Sequence, residues 1–202
     1  MAYAVASLMQ WITCAEEQFQ SHLAELNALD AAIGDGDHGS NLARGFAKVR
    51  EKLQANPPET PASLFKLVGM TLISTVGGAS GPLYGSFFLE AGKIAGEQKE
   101  LDNATLARCL QAGLVGIQRL GKAEAGDKTM IDALEPAIRA LTNEADMGVA
   151  TQKAREGRDA TIPLIARKGR ASYLGERAIG HADPGATSAC LLLNCLAGAC
   201  PT

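Results

Sequence analysis

Apolar residues recur every three or four positions along most of the chain. Val5, Leu8, Met9, Ile12, Phe19, Leu23, Leu26 and Leu29 trace one face of a helix over residues 3–29. The same spacing predicts helices over 42–53, 62–76, 83–96, 104–120, 128–145, 149–168 and 186–198. The breaks between them have physical causes. The run NPPETP at 56–61 stops a helix, because proline lacks an N–H and clashes with the preceding turn. Pro82 and Pro184 stand where proline opens a helix, and Asp102 or Asn103, Asp127 and Asp183 are placed to cap one. No segment alternates convincingly with the period of a strand. The pattern therefore predicts an all-α chain of eight helices, one domain over 1–202. Its short connections would make neighbours antiparallel, in an up-and-down bundle.

The connections differ in character, and they alternate. The first, third, fifth and seventh are IGDGDHGS, GGASGP, GKAEAGDKT and GRASYLGERAIGHADPG, rich in glycine, aspartate, serine and threonine. The second, fourth and sixth are NPPETP, EQKELDN and NEADMGV, which read as ordinary polar turns. In an up-and-down bundle all odd connections fall at one end. Each also feeds a helix N-terminus, whose free N–H groups and partial positive charge suit phosphate. Four such ends around one mouth predict a polyphosphate or nucleotide site.

Composition narrows the picture. Of 202 residues, 47% are hydrophobic and 4% aromatic, with 22 glycines that must lie between helices or where helices pack closely. A net charge of -3 argues against binding nucleic acid through its backbone charge. No apolar stretch is long enough to span a membrane. The N-terminal run has no positive region, since the first basic residue is Arg44, and Gln10 and Trp11 interrupt it. No export signal is expected, and the cytoplasm is the expected location. Cys14, Cys109, Cys190, Cys195 and Cys200 form no C-x-x-C pair and fit no common zinc spacing. They are read as free, buried thiols.

Asp30, Asp35 and Asp37 fall within eight residues, with Gly34, Gly36 and Gly39 among and after them. Carboxylates this close repel one another unless a cation joins them, and hard oxygen ligands favour Mg²⁺ or Ca²⁺. The other reading is helix capping by Asp30 and Asp37 with Asp35 solvated. The G-x-G-x-x-G match at 34–39 follows a helix and carries acids a pyrophosphate would repel, so no dinucleotide fold is expected. An EF-hand loop fails because position twelve is Phe46. The segment 121–129 is no P-loop, since Asp127 separates Gly126 from Lys128. Ser80 can add a hydroxyl to the GGASGP turn, and Arg170 belongs to a basic cluster at the mouth. Tyr84, Phe87 and Phe88 are read as core.

IGDGDHGSNLARGF, VGGASGPLYG, GKAEAGDKTMIDAL and KGRASYLGERAIGHADPGATS together resemble the nucleotide-binding L subunit of bacterial dihydroxyacetone kinase, over about residues 8–198. The resemblance implies an eight-helix up-and-down barrel with the nucleotide at one end. It implies that Asp30, Asp35 and Asp37 hold two Mg²⁺ ions against the phosphates of ADP or ATP. His38, Gly39, Ser40 and Asn41 would contact the nucleotide; Ala79 and Ser80 would bind phosphate. Gly121 and Met130 would line the adenine end, with Thr129 beside them, and Arg170 and the turn Asp183, Pro184, Gly185 would close the site.

The implied partners are a K subunit that carries dihydroxyacetone covalently on its own histidine and a multiphosphoryl M subunit of the phosphotransferase system that rephosphorylates bound ADP. A homodimer is also expected, and a transcriptional regulator is a further candidate partner. Two alternatives accompany this reading: an ATP-exchanging subunit for another short ketose, and a nucleotide-loaded regulatory module.

Overall fold

The computed structural model describes residues 2–199. Among them are nine α-helices: α1 (Val5–Ser21), α2 (Leu23–Ile33), α3 (His38–Ala55), α4 (Pro61–Thr75), α5 (Ser80–Ala95), α6 (Asn103–Gly121), α7 (Met130–Thr142), α8 (Met147–Ala160) and α9 (Pro184–Gly198). A 3-10 stretch covers Arg170–Ala178. Contrary to the strand-free expectation, β1 (Ala2–Ala4) and β2 (Glu100–Asp102) form a short antiparallel pair, Tyr3 opposite Leu101. Both of those side chains are buried.

The first predicted helix is two. Ser21 Oγ donates to the Gln18 carbonyl at 3.1 Å and the His22 ring bonds to it at 3.0 Å, bending the chain at His22. The helix then runs past its expected end near Asp30 to Ile33. The predicted helix 149–168 stops at Ala160, because Pro163 disfavours helical geometry at Ile162 and offers no N–H. Other starts follow their caps. Thr60 and Ser63 form a reciprocal capping box with Pro61 at the first turn of α4. Asp102, rather than Asn103, caps α6 through Thr105 N–H, and Asp183 caps α9 with Pro184 behind it.

From α3 to α9 each helix packs on its successor, and α9 returns to α1, which packs on α3. Inside, Trp11 of α1 meets Phe65 of α4 and Phe88 of α5 at 6.2 and 5.6 Å between ring centroids. Its Nε1–H donates to the Leu192 carbonyl of α9 at 2.8 Å. Tyr84, Phe87 and Phe88 are core, as the sequence suggests.

Glycines set the closest crossings. A Cβ on Gly69 would stand 2.8 Å from the Gly85 carbonyl, and one on Gly85 would stand 2.9 Å from the Gly69 carbonyl, so α4 and α5 touch backbone to backbone. Pro136 lies inside α7 and cannot donate to the Asp132 carbonyl; Gly157 of α8 packs against that same carbonyl. A smaller cluster of Ile33, Ala166, Ala171, Ala178 and Leu174 holds the 3-10 stretch on the end of α2.

One cysteine expectation is corrected. Cys14 and Cys195 form a disulfide across the α1–α9 seam, with Cα atoms 5.5 Å apart. Their separation of 181 residues hides the pairing from any spacing rule, since only closure of the ring brings them together. Cys109 and Cys190 are free and buried, and burial pushes their thiols up to about 12 and about 11. Cys200 lies outside the described residues.

Candidate functional site

All four odd connections open on one cavity of about 350 Å³. Its wall is drawn from within 30–41, 77–83, 117–131, 168–171 and 183–185; no residue of the turns 56–61, 97–103 or 143–149 takes part.

Asp30, Asp35 and Asp37 converge at this end, each with an oxygen within 4.8 Å of the others. Gly36, at a φ of +80°, allows the reversal between the last two. Their local roles match the capping alternative only at Asp30. Asp30 belongs to the last turn of α2 and reaches across the loop, where its Oδ2 accepts the N–H groups of Asp37 at 2.9 Å and His38 at 3.2 Å. Asp30 thereby caps α3 from outside. Asp37 occupies the cap position of α3 but makes no side-chain capping bond. Asp35 is paired with Arg170 at 2.8 Å, both substantially exposed. Three carboxylates in this space, with one engaged by backbone and one by an exposed arginine, fit a hard divalent cation.

His38 opens α3 and is buried. Its Nε2 lies 2.9 Å from Ser188 Oγ and its Nδ1 3.1 Å from Ser80 Oγ, so both ring nitrogens are used inside the protein. Burial holds the imidazole below its ordinary value, against the pull of Asp30 and Asp37. Asn41 lines the cavity, with its Oδ1 accepting from Arg44 at 2.6 Å. Gly39 and Ser40 do not line it. They face α2, where Gly39 packs on the Leu23 carbonyl and Ser40 exchanges two bonds with the Asn27 amide.

Ala79 and Ser80 present the N-terminus of α5 to the cavity. The helix begins at Ser80, so Pro82 is its third residue and not its first. On the opposite wall Gly121 and Met130 join Leu83, Ile117 and Leu120 in an apolar face. Asp127 does not cap α7; its Oδ2 accepts from Glu124 N–H at 3.0 Å. Thr129 caps instead, in a reciprocal box with Asp132.

Between them sits Lys128, at a φ of 62° and 1% exposed. Its amine donates to the carbonyls of Thr161 at 2.8 Å, Ala178 at 2.9 Å and His181 at 2.6 Å. One side chain of the fifth connection thus ties the end of α8 to the later half of the seventh connection. Its role is invisible in the sequence because its partners lie 33 to 53 residues away. Ser188 is equally silent, its only signal a hydroxyl within an apolar helical run.

Asp183, Pro184 and Gly185 complete the wall. Burial pushes the Asp183 carboxyl up to about 7, helped by nearby Asp132 and opposed by the Ala186 N–H and Lys128. Against an ordinary value of 3.8, the folded state then holds a proton that the unfolded chain has released. This group's stabilisation is full at low pH and is lost as pH rises through the folded value. Asn also caps helices well, so Asp183→Asn should keep the fold and remove the dependence. The melting temperature of the wild type relative to the variant is expected to fall between about pH 5 and about pH 8. A difference that is flat or rising would show the carboxyl to be ionised throughout.

Among the described residues no helix is long and apolar enough to cross a membrane. The DAK2 domain family model matches residues 32–198. The chain is 44% identical over 196 residues to "PEP-dependent dihydroxyacetone kinase 1, ADP-binding subunit DhaL" of Listeria innocua, covering 97% of each. It is 41% identical over 205 residues to the ADP-binding subunit DhaL of the PEP-dependent dihydroxyacetone kinase of Escherichia coli, covering 98% of each. Among solved structures it resembles the dihydroxyacetone kinase of C. freundii in complex with AMP-PNP and Mg²⁺, at 31% identity and a TM-score of 0.75. That likeness covers 93% of this chain and 33% of the longer one.

Proposed function

The chain belongs to the DAK2 domain family, and from that premise we propose that it is the nucleotide-carrying, phosphoryl-donor subunit of a dihydroxyacetone kinase. The observation that carries the reading is the meeting of all four odd connections at one cavity with three carboxylates at its mouth. Asp30, Asp35 and Asp37 would hold two magnesium ions, which neutralise phosphate charge when bound. The N-terminus of α5 at Ala79 and Ser80 offers backbone N–H groups to the phosphates. Met130 and Gly121, with Leu83 and Ile117, form the apolar wall for the base. Arg170 and the Asp183, Pro184, Gly185 turn frame the opposite rim.

The work of these residues is positioning and charge stabilisation, which is what phosphoryl transfer chiefly asks of a protein. None of them is assigned as a general base. The acceptor comes from outside, carried by a K subunit docked at the rim of the seventh connection. There Tyr173 is 87% exposed and Ile165 and Ile179 are also exposed. The PEP-dependent relatives support a donor cycle in which ADP stays bound and an M subunit rephosphorylates it in place. Such a chain works in the cytoplasm. The AMP-PNP complex of the longer C. freundii kinase favours a second reading, in which ATP itself exchanges.

The test is the nucleotide content of freshly purified protein, followed against excess labelled ATP. Near-stoichiometric ADP that exchanges slowly is expected. Exchange within roughly seconds, the scale of ordinary kinase turnover, would favour the ATP-dependent reading. No binding in the presence of Mg²⁺ would remove the nucleotide site altogether.

A further inference from the structure

The seam between α1 and α9 joins the two ends of the ring, and no peptide connection spans it. Two bonds cross it one helical turn apart. Trp11 donates to the Leu192 carbonyl, and three residues further along each helix Cys14 meets Cys195. Leu8, Ile12 and Ala15 of α1 and Leu193 and Leu196 of α9 are buried in the same core. Packing and the indole bond therefore hold the seam without the cross-link. With their Cα atoms 5.5 Å apart, two thiols there can join with no backbone movement. The two sulfurs differ in access. Cys14 is half-buried and lines a surface groove with Met9, Gln10, Thr13 and Glu17. Cys195 is 2% exposed. Cys109 and Cys190, the other described cysteines, are buried outside that groove, and burial keeps their thiols protonated. A reagent from solvent therefore meets Cys14 first.

We propose that Cys14 is a thiol–disulfide exchange site and that, with Cys195 as the resolving thiol, it forms a redox-set clasp on the ring. The oxidant is a small-molecule disulfide. The Cys14 thiolate attacks one of its sulfurs and the S–S bond breaks. One half leaves as thiolate and takes up a proton, and the other stays on Cys14 as a mixed disulfide. The Cys195 thiolate then attacks the Cys14 sulfur and expels the second half. Two electrons pass from the cysteine pair to the small disulfide, and the two cysteine protons end on the two thiols released. Reduction retraces the path: an external thiolate attacks the Cys14 sulfur, Cys195 leaves, and a second thiolate frees Cys14. The clasp acts through the unfolded chain, since a link between residues 181 apart removes much of its freedom. Neither cysteine lines the cavity, so the inference is independent of the nucleotide reading.

The test uses the full chain carrying Cys200→Ser, which removes the cysteine outside the described residues. Reduced protein is treated with hydroxyethyl disulfide under native conditions, and its thiols are counted by alkylation after unfolding. Loss of two thiols with no adduct retained is expected, as is recovery of both when the folded protein meets excess dithiothreitol. Adding Cys195→Ala should trap one mercaptoethanol group on the peptide that contains Cys14. Adding Cys14→Ser should leave every remaining thiol free. If Cys195→Ala does not fold, acid quenching of the parent at short times maps the same mixed disulfide. Modification of Cys195 first, or a pair that never closes or never reopens, would overturn the exchange site. Thermal melting reads the clasp itself. The oxidised parent is expected to melt on the order of 10 °C above its reduced form, and reductant to leave the Cys14→Ser variant unchanged. Equal melting of the two forms of the parent would overturn the clasp.

Discussion

Asp37→Asn is expected to lower affinity for magnesium ADP by on the order of 100-fold, about 2.7 kcal/mol, with little change in the stability of the free protein. The separation of the two effects comes from the geometry. Asp37 stands at the cap position of α3 but makes no capping bond, and Asn is itself a good cap residue. Its carboxylate therefore makes no capping bond that holds the fold, while its charge is one of three within 4.8 Å. Asp30→Asn is the poorer probe, because Asp30 accepts the N–H groups of both Asp37 and His38 and its loss would disturb α3 directly. Calorimetric titration with magnesium ADP, beside thermal melting without ligand, measures both quantities. Wild-type affinity in the Asp37 variant would remove this residue from the metal site.

Lys128→Met is expected to destabilise the free protein by roughly 3–5 kcal/mol, since each buried carbonyl left without its donor costs about 1–3 kcal/mol. The variant keeps most of the side-chain volume but leaves the carbonyls of Thr161, Ala178 and His181 without their shared donor. It also takes a positive charge away from buried Asp183. Burial already lowers the Lys128 amine from its ordinary value, and Asp183 and the carbonyl acceptors around it favour the charged form. Urea unfolding checks the size of the loss. The seventh connection should loosen before the ring does, so proteolysis is expected within 161–181 first. An unchanged urea midpoint would show that the three bonds contribute nothing net.

The features legible in the sequence were those whose physics is local. Asp102 and Asp183 cap helices through residues three positions away, and both were readable as caps. The alternation of connections was readable because glycine and aspartate runs are contiguous, and chain direction alone assigns them to one end. The features missed have distant partners or local competitors. Asp30 reads from the sequence as a helix end, whereas it continues α2 and reaches forward to α3. Thr129 displaced Asp127 as a cap because its partner Asp132 completes a reciprocal box. Gly39 and Ser40 share a motif with Asp37 and His38, yet helical rotation turns them to α2. His38 and Ser188 are 150 residues apart, and nothing in either segment announces the other.

Because α9 lies against α1, the two ends of the described chain share a seam, and Tyr3 and Ala197 line the same groove. The entropy lost in closing a loop grows only with the logarithm of its length. A seam joining residues 181 apart thus costs roughly 2 kcal/mol more to close than one about 20 apart. The chain order of the helices is correspondingly a weak constraint on the ring. A circular permutant joined across the seam and opened in the turn at 56–61 would keep every neighbour pair except the covalent link between α3 and α4. Its new ends would lie in a turn that contributes nothing to the cavity. In topological terms, the ring has a binding end that must be built from four fixed connections and another end where the chain can be cut.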